Sequence, residues 1–144
     1  MHRYAYEVQR AAEVCLKQPQ VDCPVRHLFA PGIYIREIFM PAVKPKGTFV
    51  IGCEHKTQHF NIILTGRARV MMDGVVYVKE APDCFISGPG VRKILLIEED
   101  MIWQTIHANP TDESNILTLE KSLVTDKPSW HQHEIDAARE VLCR

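Results

Sequence analysis

Three histidines and one cysteine are the residues of this sequence best suited to chemistry. Cys53, His55 and His59 stand close together in Cys53-Glu54-His55-Lys56-Thr57-Gln58-His59, and His107 follows in Thr105-Ile106-His107. Imidazole and thiolate are ligands for zinc and for softer or borderline divalent ions. His55, His59 and His107 are therefore candidate metal ligands, with Cys53 as a further candidate; zinc, iron, manganese and nickel are the ions to consider. The opposing reading has the imidazoles hydrogen-bonded to buried backbone or to each other, filling an inert pocket. In that reading Cys53 is a buried thiol packed as a small hydrophobe, and His107 is a satisfied strand histidine.

His55 and His59 also have the i,i+4 spacing of a helical histidine pair. The β-branched and aromatic run that follows, Phe60, Ile62, Ile63 and Leu64, argues for a strand instead, and no His-Glu-x-x-His supplies a metalloprotease base. His131 and His133, flanking Gln132, read as exposed polar residues. No nucleophile-elbow, Walker A, dinucleotide-binding or EF-hand pattern occurs.

The elements that must position these residues are mostly strands. Ile33-Tyr34-Ile35 and Ile38-Phe39 are strand formers, ended by Pro41 and Lys44-Pro45-Lys46-Gly47. Further strands are expected at Thr48 to Ile51, His59 to Leu64, Ala68 to Met72, Val75 to Lys79, Asp83 to Ser87, Lys93 to Glu98 and Trp103 to His107. Turn-like joints separate them: Thr65-Gly66, Asp73-Gly74, Ala81-Pro82-Asp83 and Gly88-Pro89-Gly90, of which Asp73-Gly74 is the strongest hairpin signal. Many short strands with turns at such intervals predict a sandwich or barrel. Periodicity leaves open whether Ile102, Gln104 and Ile106 or Trp103, Thr105 and His107 face inward.

Residues 1–31 read as a helix over Arg3 to Leu16 followed by an extended arm, broken by Pro19 and Pro24. Residues 32–110 form the β core. Residues 111–144 begin polar and end in an amphipathic helix capped by Ser129 and carrying Ile135, Ala138, Val141 and Leu142. With 144 residues in all, one domain is expected.

The chain is 46% hydrophobic and 24% charged, with a formal net charge of −1, which gives no reason to expect nucleic acid or a membrane surface as partner. No apolar run approaches the ~20 residues that span a bilayer. Five cysteines, an odd number without a Cys-x-x-Cys, are expected to be reduced thiols in a cytosolic setting.

Gly47 to Gly66 resembles the first motif of the cupin family. The family pattern is Gly, five residues, His, one residue, His, three or four residues, Glu, six residues, Gly. Here Gly47, Cys53, His55, His59 and Gly66 keep every spacing, with Cys53 in place of the first histidine and His59 in place of the glutamate. Gly88-Pro89-Gly90 resembles the turn of the second motif, but Lys93 stands where that motif has a metal-binding histidine. The resemblance implies an all-β, double-stranded jelly roll with His55 and His59 facing its interior. It also puts a protonated Lys93 at the site, where its charge opposes a dication.

Lys46-Gly47-Thr48, the run His55-Lys56-Thr57-Gln58-His59-Phe60-Asn61-Ile62 and the ending Thr105-Ile106-His107-Ala108-Asn109-Pro110 resemble small cupin-like proteins encoded among virion genes of tailed bacteriophages. That resemblance implies a structural protein made in the host cytoplasm and built into the virion, as a head decoration or a tail-associated subunit. Its partners would be other capsid or tail proteins and copies of itself. A non-enzymatic role is favoured because the motif glutamate and the second-motif histidine are both missing. The alternatives are a metal-dependent cupin enzyme acting on a sugar or small oxygenated substrate, and a non-catalytic ligand-binding cupin.

Overall fold

The computed structural model describes Lys17 and residues 19–72 and 74–125. The helices expected over Arg3 to Leu16 and after Ser129 lie outside these residues. Among the described residues the order is β1 (Val25–Ala30), β2 (Ile33–Met40), β3 (Thr48–Ile51), β4 (His59–Met72), β5 (Val75–Glu80), β6 (Asp83–Ser87), β7 (Lys93–Ala108) and α1 (Ile116–Leu123). All strand pairings are antiparallel. No helix among the described residues is long and apolar enough to cross a membrane.

Two long strands organise the fold. β4 and β7 pair from Phe60↔Ile106 to Met72↔Lys93, with register shifts around Thr65 to Ala68. Half of each strand belongs to one layer, β1-β2-β7-β4-β6, and half to the other, β3-β7-β4-β5. The inward residues of both layers meet in one core: Met40, Ile63, Met101 and Trp103 from the first, Ala68, Val70, Leu95 and Ile97 from the second. Fully burying such side chains contributes about 1.5–3 kcal/mol each, which makes this core the main source of stability.

The sequence reads Thr65-Gly66 as a turn between two strands, but β4 is continuous through it. The inward set changes from His59, Asn61 and Ile63 to Ala68 and Val70, that is, from odd to even positions. One inserted residue makes that change, and a β-bulge supplies it while bending the strand. Gly66 serves this bend with φ +87°, and a Cβ there would lie 2.3 Å from the carbonyl oxygen of Asp100. β7 likewise runs unbroken where two shorter strands are expected.

Two elements depart from the expected layout. β1 falls inside the region read as an extended arm, paired with β2 through the tight Pro31-Gly32 connection, Ala30↔Ile33. α1 falls in the segment read as polar. Asn115 caps it by accepting from the Thr118 N–H at 3.1 Å. Leu119 and Leu123, one turn apart, pack on Tyr34 and close one end of the roll.

Candidate functional site

Register brings the histidines together. His107 lies opposite Tyr34 on β2, and His59 lies opposite Ser87 on β6. The β4–β7 pairing sets Phe60 against Ile106 and Asn61 against Thr105, so that His59 and His107 are neighbours in one inward row. This selects Trp103, Thr105 and His107 as the inward set of β7. His55 enters from the loop before β4, and that loop is clamped. Its Lys56 N–H donates to the Leu123 carbonyl at 2.7 Å, Thr125 N–H to the Glu54 carbonyl at 2.9 Å, and Gly90 N–H to the His55 carbonyl at 2.9 Å. α1 and the Gly88-Pro89-Gly90 turn thus hold His55 over the other two.

The three rings form a compact triad. Centroids of His55 and His59 are 4.2 Å apart, those of His55 and His107 5.2 Å, and those of His59 and His107 5.0 Å. Only 2% of His59 and 2% of His107 is exposed. His59 Nδ1 lies 3.1 Å from the Thr57 carbonyl oxygen, which can only accept, so Nδ1 carries the proton and Nε2 a bare lone pair. His107 Nε2 contacts the Thr105 hydroxyl at 2.9 Å. One nitrogen of each ring, His55 Nδ1, His59 Nε2 and His107 Nδ1, is buried without any hydrogen-bond partner. Leaving such an atom unsatisfied costs about 1–3 kcal/mol.

Electrostatics keep these rings neutral. Burial, reinforced by His59, His107, Lys93 and Arg36, pulls His55 down to about 3. Burial, with His59, Arg36 and Lys93, pulls His107 down to about 4. Burial lowers His59 as well, partly opposed by its bond to Thr57. Among the described residues, the charged side chains acting on the triad are the cations Lys93 and Arg36. Lys93 itself is inward-facing, 6% exposed, and pulled by burial to about 8, so that it remains mostly protonated at pH 7.

The donor set fits a transition ion in kind: three neutral imidazoles with orphaned nitrogens, one of them oriented by a backbone carbonyl as metal-ligating histidines commonly are. Among the described residues, however, no group of three or more His, Cys, Asp and Glu side chains is already set to hold an ion. Ligation would require the rings to turn, and the Cβ–ring torsion of histidine is broad enough to permit this. Cys53 takes no part in the triad. Expected to be a buried thiol, it is exposed, in the loop that follows β3. Cys23, Cys53 and Cys84 form no disulfide.

Sequence reasoning missed Tyr34 and Arg36 as site residues. Tyr34 stacks on His107 with centroids 5.8 Å apart and shares a hydrogen bond with His27 through its hydroxyl at 2.7 Å. Arg36 belongs to the same inward row as Thr105. The alternation Tyr34, Arg36, Ile38, Met40 carried the signal.

No protein-family model matches the sequence, and no curated protein matches it. Solved structures do. A cupin superfamily protein from Desulfitobacterium hafniense aligns with 63% of this chain and 81% of its own length, at 13% identity and TM-score 0.51. An RmlC-like cupin from Shewanella frigidimarina aligns with 68% of this chain and 89% of its own, at 18% identity and TM-score 0.49. At 13% identity the similarity to the Desulfitobacterium protein concerns the fold alone, and with the strand pairing described above it gives the chain the antiparallel jelly-roll architecture seen in cupins.

Proposed function

We propose that this protein is a metal-binding cupin that acts as a binding and assembly module rather than as an acid–base enzyme. The observation that carries the reading is the set of three buried, unpartnered imidazole nitrogens on neighbouring rings. His55, His59 and His107 would hold the ion; when bound it supplies Lewis acidity and open coordination positions. The chain's own residues prepare this site. Burial keeps the imidazoles unprotonated, Thr57 fixes the tautomer of His59, and α1 closes the end of the roll to water. Acid–base chemistry is disfavoured because, among the described residues, the charged side chains acting on the triad are cations and no carboxylate perturbs it.

Elemental analysis of protein made without a histidine tag tests the proposal. About one zinc, iron, manganese or nickel per chain is expected, falling to background in the His55→Ala/His59→Ala double variant. Wild-type protein that stays metal-free after growth and dialysis with these ions would refute it.

The assembly part rests on a different feature. β5 pairs only with β4 among the described residues, and Val75, Val76, Tyr77 and Val78 on it are all exposed, Val78 by 66%. An exposed apolar edge strand is an unstable surface for a protein working alone and a suitable one for docking. With the resemblance to phage cupin-like proteins, this favours a virion component whose partners are capsid or tail proteins and copies of itself. Val76→Lys/Val78→Lys is expected to abolish self-association in sedimentation velocity and incorporation into purified particles, while the circular dichroism spectrum stays unchanged. Unaltered association and incorporation would remove β5 from that role.

A further inference from the structure

A centre built on three histidines has no use for Lys93. Its side chain is inward in the alternation Lys93, Leu95, Ile97, and 94% of it is withdrawn from solvent. Among the described residues no carboxylate and no hydrogen-bond acceptor meets its ammonium. Arg36 is a second cation beside the triad, half-buried rather than enclosed. It faces inward between Tyr34 and Ile38, lies beside Thr105 on β7, and has no ion pair among the described residues. The two cations act on the same histidines, Lys93 on all three and Arg36 on His55 and His107. Two positive charges therefore bear on three neutral rings, and among the described residues no acidic side chain pairs with either cation.

Buried cations are costly unless paired, and lysine is rarely buried alone. A hydrophobic residue would fill position 93 at lower cost, as Leu95 and Ile97 do further along the strand. We infer that Lys93 and Arg36 form an anion-binding subsite in the roll, whose ligand is the oxyanion group, carboxylate or phosphate, of a small molecule. The ammonium supplies a point charge, and the guanidinium a planar fork that matches two oxygens. Imidazole N–H groups can add donors. This subsite does not depend on an ion at the histidines. Without one, the anion balances the two cations; with one, the anion is what allows a dication and an ammonium to share the interior.

Isothermal titration calorimetry at pH 7 and low salt, on the full-length chain in the presence of a chelator, tests this with oxalate and inorganic phosphate as probes. At least one is expected to bind. Lys93→Met should weaken it about tenfold or more, the loss expected of a charge-assisted contact, while Lys93→Arg retains most of the affinity. Arg36→Gln should weaken it as well. Thermal unfolding of Lys93→Met checks that the roll is intact, since methionine fits an apolar row. Failure of both probes to bind wild type, or equal binding by Lys93→Met, would overturn the subsite. Metal content measured on separate untreated samples keeps a failure of the histidine centre distinct from a failure of anion binding.

Discussion

Between pH 7 and pH 5, in the presence of a chelator, the protein is expected to lose on the order of 3 kcal/mol of stability, with His55 and His107 responsible for most of it. Both imidazoles have folded pKa values below the ordinary 6.5, about 3 for His55 and about 4 for His107, chiefly because burial disfavours the charged ring. As pH falls below 6.5, the unfolded chain takes up protons at these positions and the folded chain does not. Stability is therefore complete above about 6.5 and declines as pH falls toward 4, at up to about 1.4 kcal/mol per pH unit for each ring. His59, lowered by burial, adds in the same direction. Against a typical total of about 5–15 kcal/mol this is a large fraction. Urea unfolding at pH 7, 6 and 5 measures it, and a His55→Gln/His107→Gln variant should show a much flatter dependence. An equal slope in wild type and variant would mean that the triad is not buried and neutral. Lys93 works at the other end of the scale: its value is lowered to about 8, so its charge opposes folding below that pH, and stability should rise between about pH 8 and 10.5.

The second large effect is expected from Trp103→Ala. Trp103 is 4% exposed and packs edge-on against Phe85 with centroids 5.7 Å apart. Truncating a buried tryptophan costs about 3–5 kcal/mol through lost contacts and the cavity left behind. A second cost follows from its polar end. The indole Nε1–H donates to Asn61 Oδ1 at 3.1 Å, and Asn61, fully buried, donates in turn to the Ser87 hydroxyl at 2.9 Å. Without the indole, the Asn61 oxygen is left unsatisfied, adding about 1–3 kcal/mol. Because Asn61 stands two residues from His59 on the same inward face, the loss should also loosen the triad. Chemical denaturation is expected to show the variant largely unfolded or destabilised by about 4–8 kcal/mol, the sum of these two costs. Trp103→Phe, which keeps a ring against Phe85 but lacks the N–H, should be milder. If Trp103→Ala were as stable as Trp103→Phe, the packing of the core would need another description.

The strands were legible because their local chemistry is. Thr48–Ile51, Asp83–Ser87 and the Val75 strand were expected within a residue of where they lie, each bounded by Gly, Pro or Asp at a turn. Gly66 misled because left-handed glycine serves a turn and a bulge equally well, and only the partner strand tells them apart. β1 was missed because Val25-Arg26-His27-Leu28-Phe29-Ala30 alternates weakly, as edge strands do, although the Pro31-Gly32 pair marked its hairpin. α1 was missed because it is only eight residues long. Such a helix draws its stability from Leu119 and Leu123 meeting Tyr34, a contact far apart in sequence.

Local pattern alone determined that this chain is many-stranded, a sandwich or barrel; that His55, His59 and Lys93 belong at one spot in a roll is what the resemblance of Gly47 to Gly66 and of Gly88-Pro89-Gly90 to the cupin motifs implied. Local pattern could not decide the face of β7, since Ile102 and Ile106 are as apolar as Trp103. Pairing decided that: hydrogen bonding of β7 to both β2 and β4 turns Trp103, Thr105 and His107 inward together. Tertiary structure also brought in Arg36 and left Cys53 outside. The reason is the two-residue period of a strand. It divides side chains into two faces, but only a neighbouring strand, with its register and bulges, assigns one of them to the interior.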